Sequence, residues 1–171
     1  MTTTVKTVIY KEIQSRNRAS LFATPVAWAV ADVTELLIQD AGGISATHTG
    51  VIVVSDECSL NTMLALSESA TQGSVSPLRF AGSSPSIVTG LAALEHEIRG
   101  PTLTLTMAPS VAQDAIMAIA KYWINYSNLT ALIVISHCYK RDQGHIFKGV
   151  IIEQCERKAS VLISELCDFE S

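Results

Sequence analysis

Few side chains in this sequence are placed to do chemistry, and four residues merit weighing. Ser110 follows Pro109 where a long apolar helix begins. A hydroxyl in the first turn of a helix sits where the dipole favours an anion, which is the setting for a nucleophile in acyl transfer. The same hydroxyl commonly does no more than accept a bond from the helix's free N–H groups. His137 and Cys138 are adjacent, which suggests a thiol–imidazole pair. Neighbouring side chains on a strand point to opposite faces, however, so a loop histidine beside a half-buried thiol is the expectation. Asp114 lies on the helix after Ser110 and is either a ligand-site carboxylate or the partner of a nearby donor, since uncompensated burial is costly.

Metal chemistry draws little support from spacing. Cys58, Cys138, Cys155 and Cys167 are far apart with no C-x-x-C pair, and no histidine stands at ligand spacing from any of them. They read as free thiols packed as small hydrophobes, and no metal or cofactor is expected. A net charge of −4 with scattered Lys and Arg gives no basic stripe for a phosphate backbone, so nucleic-acid binding is not expected.

The 171 residues suit one domain over 1–171, and 48% hydrophobic against 16% charged residues excludes a disordered chain. The apolar stretches, such as Leu132 to Ile135, are strand-sized and far below the ~20 residues of a membrane span. An oily composition without such a span implies surface covered by another chain. The polar, threonine-rich Met1 to Lys6 has no signal-peptide core, so a cytoplasmic location is expected.

Elements that would position these residues alternate between strand and helix signals. Lys6 to Tyr10 reads as a short strand. Thr24 and Pro25 read as N-cap and first residue of a helix that Gly42-Gly43 ends. Gly50 to Val54 suits a buried parallel strand, Ser59 to Ala70 a weak helix, and the segment with Gly73, Pro77 and Gly82 a loop. Ser84-Pro85 opens a second capped helix that stops at Gly100. Thr102 to Met107 alternates Thr and Leu as a strand does. Val111 to Tyr126 is apolar nearly all round, which predicts a buried helix. Leu129 to Ser136 reads as a buried strand, Tyr139 to Gly144 as a polar turn, and Phe147 to Glu153 and Ala159 to Cys167 as strands. The sum is an α/β layered domain with a mixed sheet, covering helices and a buried central helix.

Gly100 to Ala120 (Gly-Pro-Thr-Leu-Thr-Leu-Thr-Met-Ala-Pro-Ser-Val-Ala-Gln-Asp-Ala-Ile-Met-Ala-Ile-Ala) resembles a segment of the β-ketoacyl synthases. There a Gly-Pro turn opens a strand that ends at the nucleophilic cysteine on a long buried helix. Ser20 to Asp56, Arg79 to Arg99, Leu129 to Ile135 and Lys148 to Glu165 resemble further parts of the family's N-terminal half, in order. The resemblance implies a thiolase-like half-fold that dimerises through Thr102, Leu103, Thr104, Leu105 and Thr106. Counted from Gly100, the cysteine position falls on Pro109, which has neither a nucleophilic group nor a backbone N–H for an oxyanion hole. Proline is nevertheless well accepted at a helix start. The family's catalytic histidines, in His-Gly-Thr and Asn-His contexts, have no counterpart in His48, His96, His137 or His145. The pair Asp114-Ala115 is similar to one in the chain length factors, the family's non-catalytic branch. The resemblance therefore implies a non-catalytic subunit, pairing with itself or an active ketosynthase and meeting an acyl carrier protein. Two other readings stand beside it: a small acyl-transfer or hydrolytic enzyme using Ser110 or Cys138, and a stand-alone dimer binding an acyl ligand.

Overall fold

The computed structural model describes residues 4–19, 21–153 and 159–169, so Cys155 lies outside the described residues. Five strands, β1 (Lys6–Tyr10), β2 (Thr49–Ser55), β3 (Thr102–Leu105), β4 (Ala131–Lys140) and β5 (Gly144–Glu153), form one mixed sheet in the order β1-β5-β4-β2-β3. β2 runs parallel to both β3 and β4, while β5 is antiparallel to β4 and to β1. β2 is buried along its whole length because helices cover both faces, which is why its sequence is a near-continuous β-branched run.

Residue parity assigns the two faces. Val51, Val53, Ile133, Ile135 and Phe147 pack against α1 (Pro25–Asp40) and α4 (Ile87–Glu95), through Trp28, Val30, Val33, Val88 and Leu91. Ile52, Val54, Leu132, Val134 and Val150 meet α5 (Gln113–Tyr126) and α6 (Ala159–Cys167), through Ile116, Ala120, Leu162, Ile163 and Leu166. The α/β reading holds, with a mixed five-stranded sheet and covering helices. The first helix begins as expected: the Thr24 hydroxyl accepts from Ala27 N and Pro25 occupies the first turn.

Four local expectations are corrected. Ala159–Cys167 is a helix, because its buried residues Leu162, Ile163, Leu166 and Cys167 follow helical spacing. Ser136 Oγ donates to Leu166 O and ties that helix to the sheet. The segment around Pro77 contains a short helix, α3 (Pro77–Ala81), capped by the Ser76 hydroxyl. The second capped helix starts at Ile87, without a side-chain cap bond, and ends before Glu97 at φ 54°. The apolar helix after Pro109 buries Ile116 and Ala120 along a single stripe, leaving Tyr122 and Tyr126 exposed. The all-round pattern predicted burial; within this chain only the sheet-facing stripe has a surface to pack on. Likewise α2 (Leu60–Thr71) buries none of its residues.

Candidate functional site

The β2–β4 register makes Ser55 and His137 direct neighbours at the carboxyl ends of two parallel strands, the end of an open α/β sheet where ligand sites tend to form. By parity both point to the α1 face, as do Val53 and Ile135. The β4–β5 hairpin pairs His137 with Phe147 and Tyr139 with His145, which puts His145 on the same face, diagonal to His137. The loop after β2 then supplies Glu57 and Cys58, the latter at φ 39°.

These side chains form a buried polar chain. Ser55 Oγ accepts from Glu57 N at 3.2 Å and from Cys58 N at 3.0 Å. With both lone pairs taken, its own proton goes to His137 Nδ1 at 2.8 Å. His137 therefore carries its proton on Nε2 and donates it to His145 Nδ1 at 3.0 Å. The two rings lie within 16° of one plane with centroids 5.2 Å apart, so with nitrogens this close they meet edge to edge. Phe147 lies against the His137 ring at 4.4 Å, and Tyr139 lies beside His145 at 4.9 Å. Glu57 Oε2 is 3.7 Å from His145 Nδ1 and is a buried oxygen without a hydrogen-bond partner among the described residues.

Burial disfavours charge along this chain and keeps its two imidazoles neutral. Burial lowers the His137 pKa to about 3, with the neighbouring His145 acting in the same direction. Burial also lowers His145 and raises Glu57, the latter with help from Asp56. Beside His145 is a pocket of about 140 Å³ that Thr24, Asn61 and Cys58 also line. The Cys58 thiol donates to Ser55 O at 3.0 Å, and burial raises its pKa to about 11, so it stays protonated. Ser55 and His137 are both fully buried, which excludes Ser55 as a nucleophile that a substrate reaches. Three groups, Glu57, His137 and His145, each turn one ligand-type atom toward the others, all within 4.8 Å.

The positions singled out in the sequence lie elsewhere. Pro109 is buried at the start of a 3-10 turn, Pro109–Val111, that precedes α5. Ser110 is exposed there and makes no side-chain hydrogen bond among the described residues. Asp114 is exposed in the first turn of α5. His137 is a strand residue and not a loop histidine, because β4 runs on to Lys140. Cys138 faces the opposite side of the sheet from it, as strand alternation requires. Burial raises the Cys138 pKa to about 11. Thr102 to Leu105 form the edge strand β3, which pairs only with β2 among the described residues, and Thr106 lies beyond its end. Its hydroxylated face is partly spoken for: Thr104 Oγ1 and Thr89 Oγ1 are hydrogen-bonded at 3.0 Å.

Glu57 and His145 were not singled out in the sequence. The signal that could have found His145 is pairing about the Arg141 to Gln143 turn, which sets His137 and His145 on one face. Glu57 carries no such signal, since a loop fixes it.

No protein-family model matches the sequence, and no curated protein matches it. Solved structures do match. A ketosynthase (ApeO) in complex with its chain length factor (ApeC) from Xenorhabdus doucetiae superposes with a TM-score of 0.63 at 10% identity, over 79% of this chain and 59% of that one. The ishigamide ketosynthase/chain length factor does so with a TM-score of 0.59 at 18% identity, over 84% of this chain and 47% of that one. The fold is thus the thiolase-like α/β fold of ketosynthases and chain length factors, and this chain spans about half the length of those it matches.

Proposed function

We propose that this chain is a non-catalytic, ketosynthase-like subunit that acts as a chain length factor does, in polyketide or fatty-acid-type biosynthesis. It pairs with an active ketosynthase or with a second copy of itself, and the pair meets an acyl carrier protein. Pro109 carries the reading. It is buried at the start of the 3-10 turn that leads into α5, where the resemblance places the nucleophilic cysteine, on a fold shared with ketosynthase and chain length factor structures. A proline there keeps the helix start and supplies neither thiol nor N–H.

The edge strand β3 supports the pairing. An uncovered edge offers a row of unpaired N–H and C=O groups and is a liability unless another strand covers it. The half-covered α5, with Tyr122 and Tyr126 exposed, adds apolar surface for a partner. Acyl transfer through Ser110 or Cys138 draws no such support, since among the described residues no base is hydrogen-bonded to the Ser110 hydroxyl, and the Cys138 thiol is held protonated.

The test is co-expression with a ketosynthase and carrier protein encoded beside this chain, followed by pull-down and size-exclusion light scattering. A stable homodimer or a complex with the ketosynthase is expected, without acyl adduct on this chain by intact mass. A monomer that captures neither protein, or an adduct on Ser110 or Cys138, refutes the reading.

A further inference from the structure

We propose that Glu57, His137 and His145 form a binding site for one divalent transition-metal ion of the zinc class. Two imidazoles and a carboxylate are a donor set that zinc and cobalt accept in four-coordinate sites with one position open. Three separate segments bring these groups together: the end of β4, the start of β5 and the loop after β2.

Distances decide what the site can hold. Zinc–nitrogen bonds of ~2.0 Å at tetrahedral angles put two donor atoms roughly 3.3 Å apart. His137 Nε2 and His145 Nδ1 are 3.0 Å apart, and His145 Nδ1 and Glu57 Oε2 are 3.7 Å apart, so the observed spacings straddle that value. The remaining pair is no more than 4.8 Å apart and closes by a swing of the Glu57 carboxylate. In the metal-free chain that carboxylate oxygen faces the region of a nitrogen already occupied as an acceptor, and it is buried without a partner. The two ring nitrogens now point at each other, so the partly exposed His145 ring turns off that line when a cation enters, and all three groups then face it.

Binding has a definite proton requirement. His137 Nε2 gives up its hydrogen as the ring changes tautomer to Nδ1–H, which then donates to Ser55 Oγ across the existing 2.8 Å contact. That is the usual outer-shell arrangement of a metal-bound histidine. Ser55 then accepts from Nδ1 and its own O–H rotates away from His137; with three N–H donors around one oxygen, the longest contact, Glu57 N at 3.2 Å, releases as Glu57 turns inward. Phe147 holds the His137 ring, and His145 leaves the fourth position beside the pocket it lines with Thr24 and Asn61.

The experiment is titration of the chelator-stripped full chain with Co²⁺ and then Zn²⁺, read by visible absorption and by ¹⁵N NMR of the imidazoles. Expected are one Co²⁺ per chain with tetrahedral ligand-field bands, no thiolate charge-transfer band, displacement by Zn²⁺, and a switch of His137 from the Nε2–H to the Nδ1–H tautomer. Glu57→Gln and His145→Ala, both at partly exposed positions, should each weaken binding by at least the ~10–100-fold that outer-shell changes produce. Their fold is checked by circular dichroism. His137 is fully buried, so its substitution is not used as the test. The proposal is overturned by no saturable binding, by a thiolate band implicating Cys58, or by binding unchanged in both folded variants.

Discussion

Gly100 opens the segment that leads through β3 to Pro109, and its replacement by alanine tests how tightly that segment is fixed. A Cβ at Gly100 would lie 2.2 Å from Thr49 O and 2.7 Å from Thr49 C, both backbone atoms. β2 cannot yield, because β3 and β4 flank it and both of its faces are buried. The Gly100-Pro101 turn must therefore move outward, which strains the 3.0 Å bond from Val51 N to Pro101 O. Val51 is fully buried, so its N–H would lose its partner away from water. That loss is worth ~1–3 kcal/mol, and the steric displacement ~1–3 kcal/mol more, giving an expected destabilisation of about 4 kcal/mol. Gly90 is the internal control: it lies inside α4, and a Cβ there meets nothing within 4 Å. Gly90→Ala should stabilise by ~0.5–1 kcal/mol, as alanine favours helix over glycine. Urea unfolding of the two variants and the parent, with comparable m-values, measures both. A Gly100→Ala protein within ~0.5 kcal/mol of the parent would refute the close-approach argument, as would the same sign for both substitutions.

Three further outcomes follow from packing and protonation. His137 has its folded pKa lowered from 6.5 to about 3, so below pH 6.5 the unfolded chain binds a proton that the fold excludes. The stability is whole above that pH and falls as pH drops toward 3, by about 2 kcal/mol at pH 5, with His145 adding in the same direction. Urea midpoints flat between pH 5 and 7 would refute this. Ile116→Ala should cost ~2–5 kcal/mol, because Ile116 is fully buried under the sheet. Ala118→Ser, at an exposed position of the same helix, should stay within ~0.5 kcal/mol; equal effects in thermal or urea unfolding would place α5 wrongly. Cys58 and Cys167 are buried thiols with pKa values raised to about 11, so iodoacetamide at pH 8 should leave both unlabelled until denaturant is added. Peptide mass spectrometry reads the result, and rapid native labelling of either contradicts it.

The alternating fold was legible in the sequence because its signals are local. Thr24-Pro25, Gly42-Gly43 and the β-branched run of β2 act within a few residues of themselves, and all three appear where their chemistry requires. Pro109 as an opening residue was legible for the same reason, although it opens a 3-10 turn ahead of α5 and not α5 itself. The last helix is ambiguous in sequence because a nine-residue segment of mixed apolar and polar residues suits either element; its packing on β4 and β5 arbitrates. Full burial of α5 was inferred from composition, and composition counts apolar residues without saying which of them have something to touch.

The Ser55–His137–His145–Glu57 chain is a different matter, and tertiary structure alone decided it. Ser55 and His137 are 82 positions apart, and they meet because β2 and β4 pair in parallel in one particular register. A slip of one residue would turn His137 to the other face of the sheet and leave Ser55 with a different neighbour. Sequence by itself carried most of the element order and the absence of a nucleophilic group at Pro109. It could not fix the sheet order, and the sheet order is what gathers two histidines and a carboxylate at one buried point.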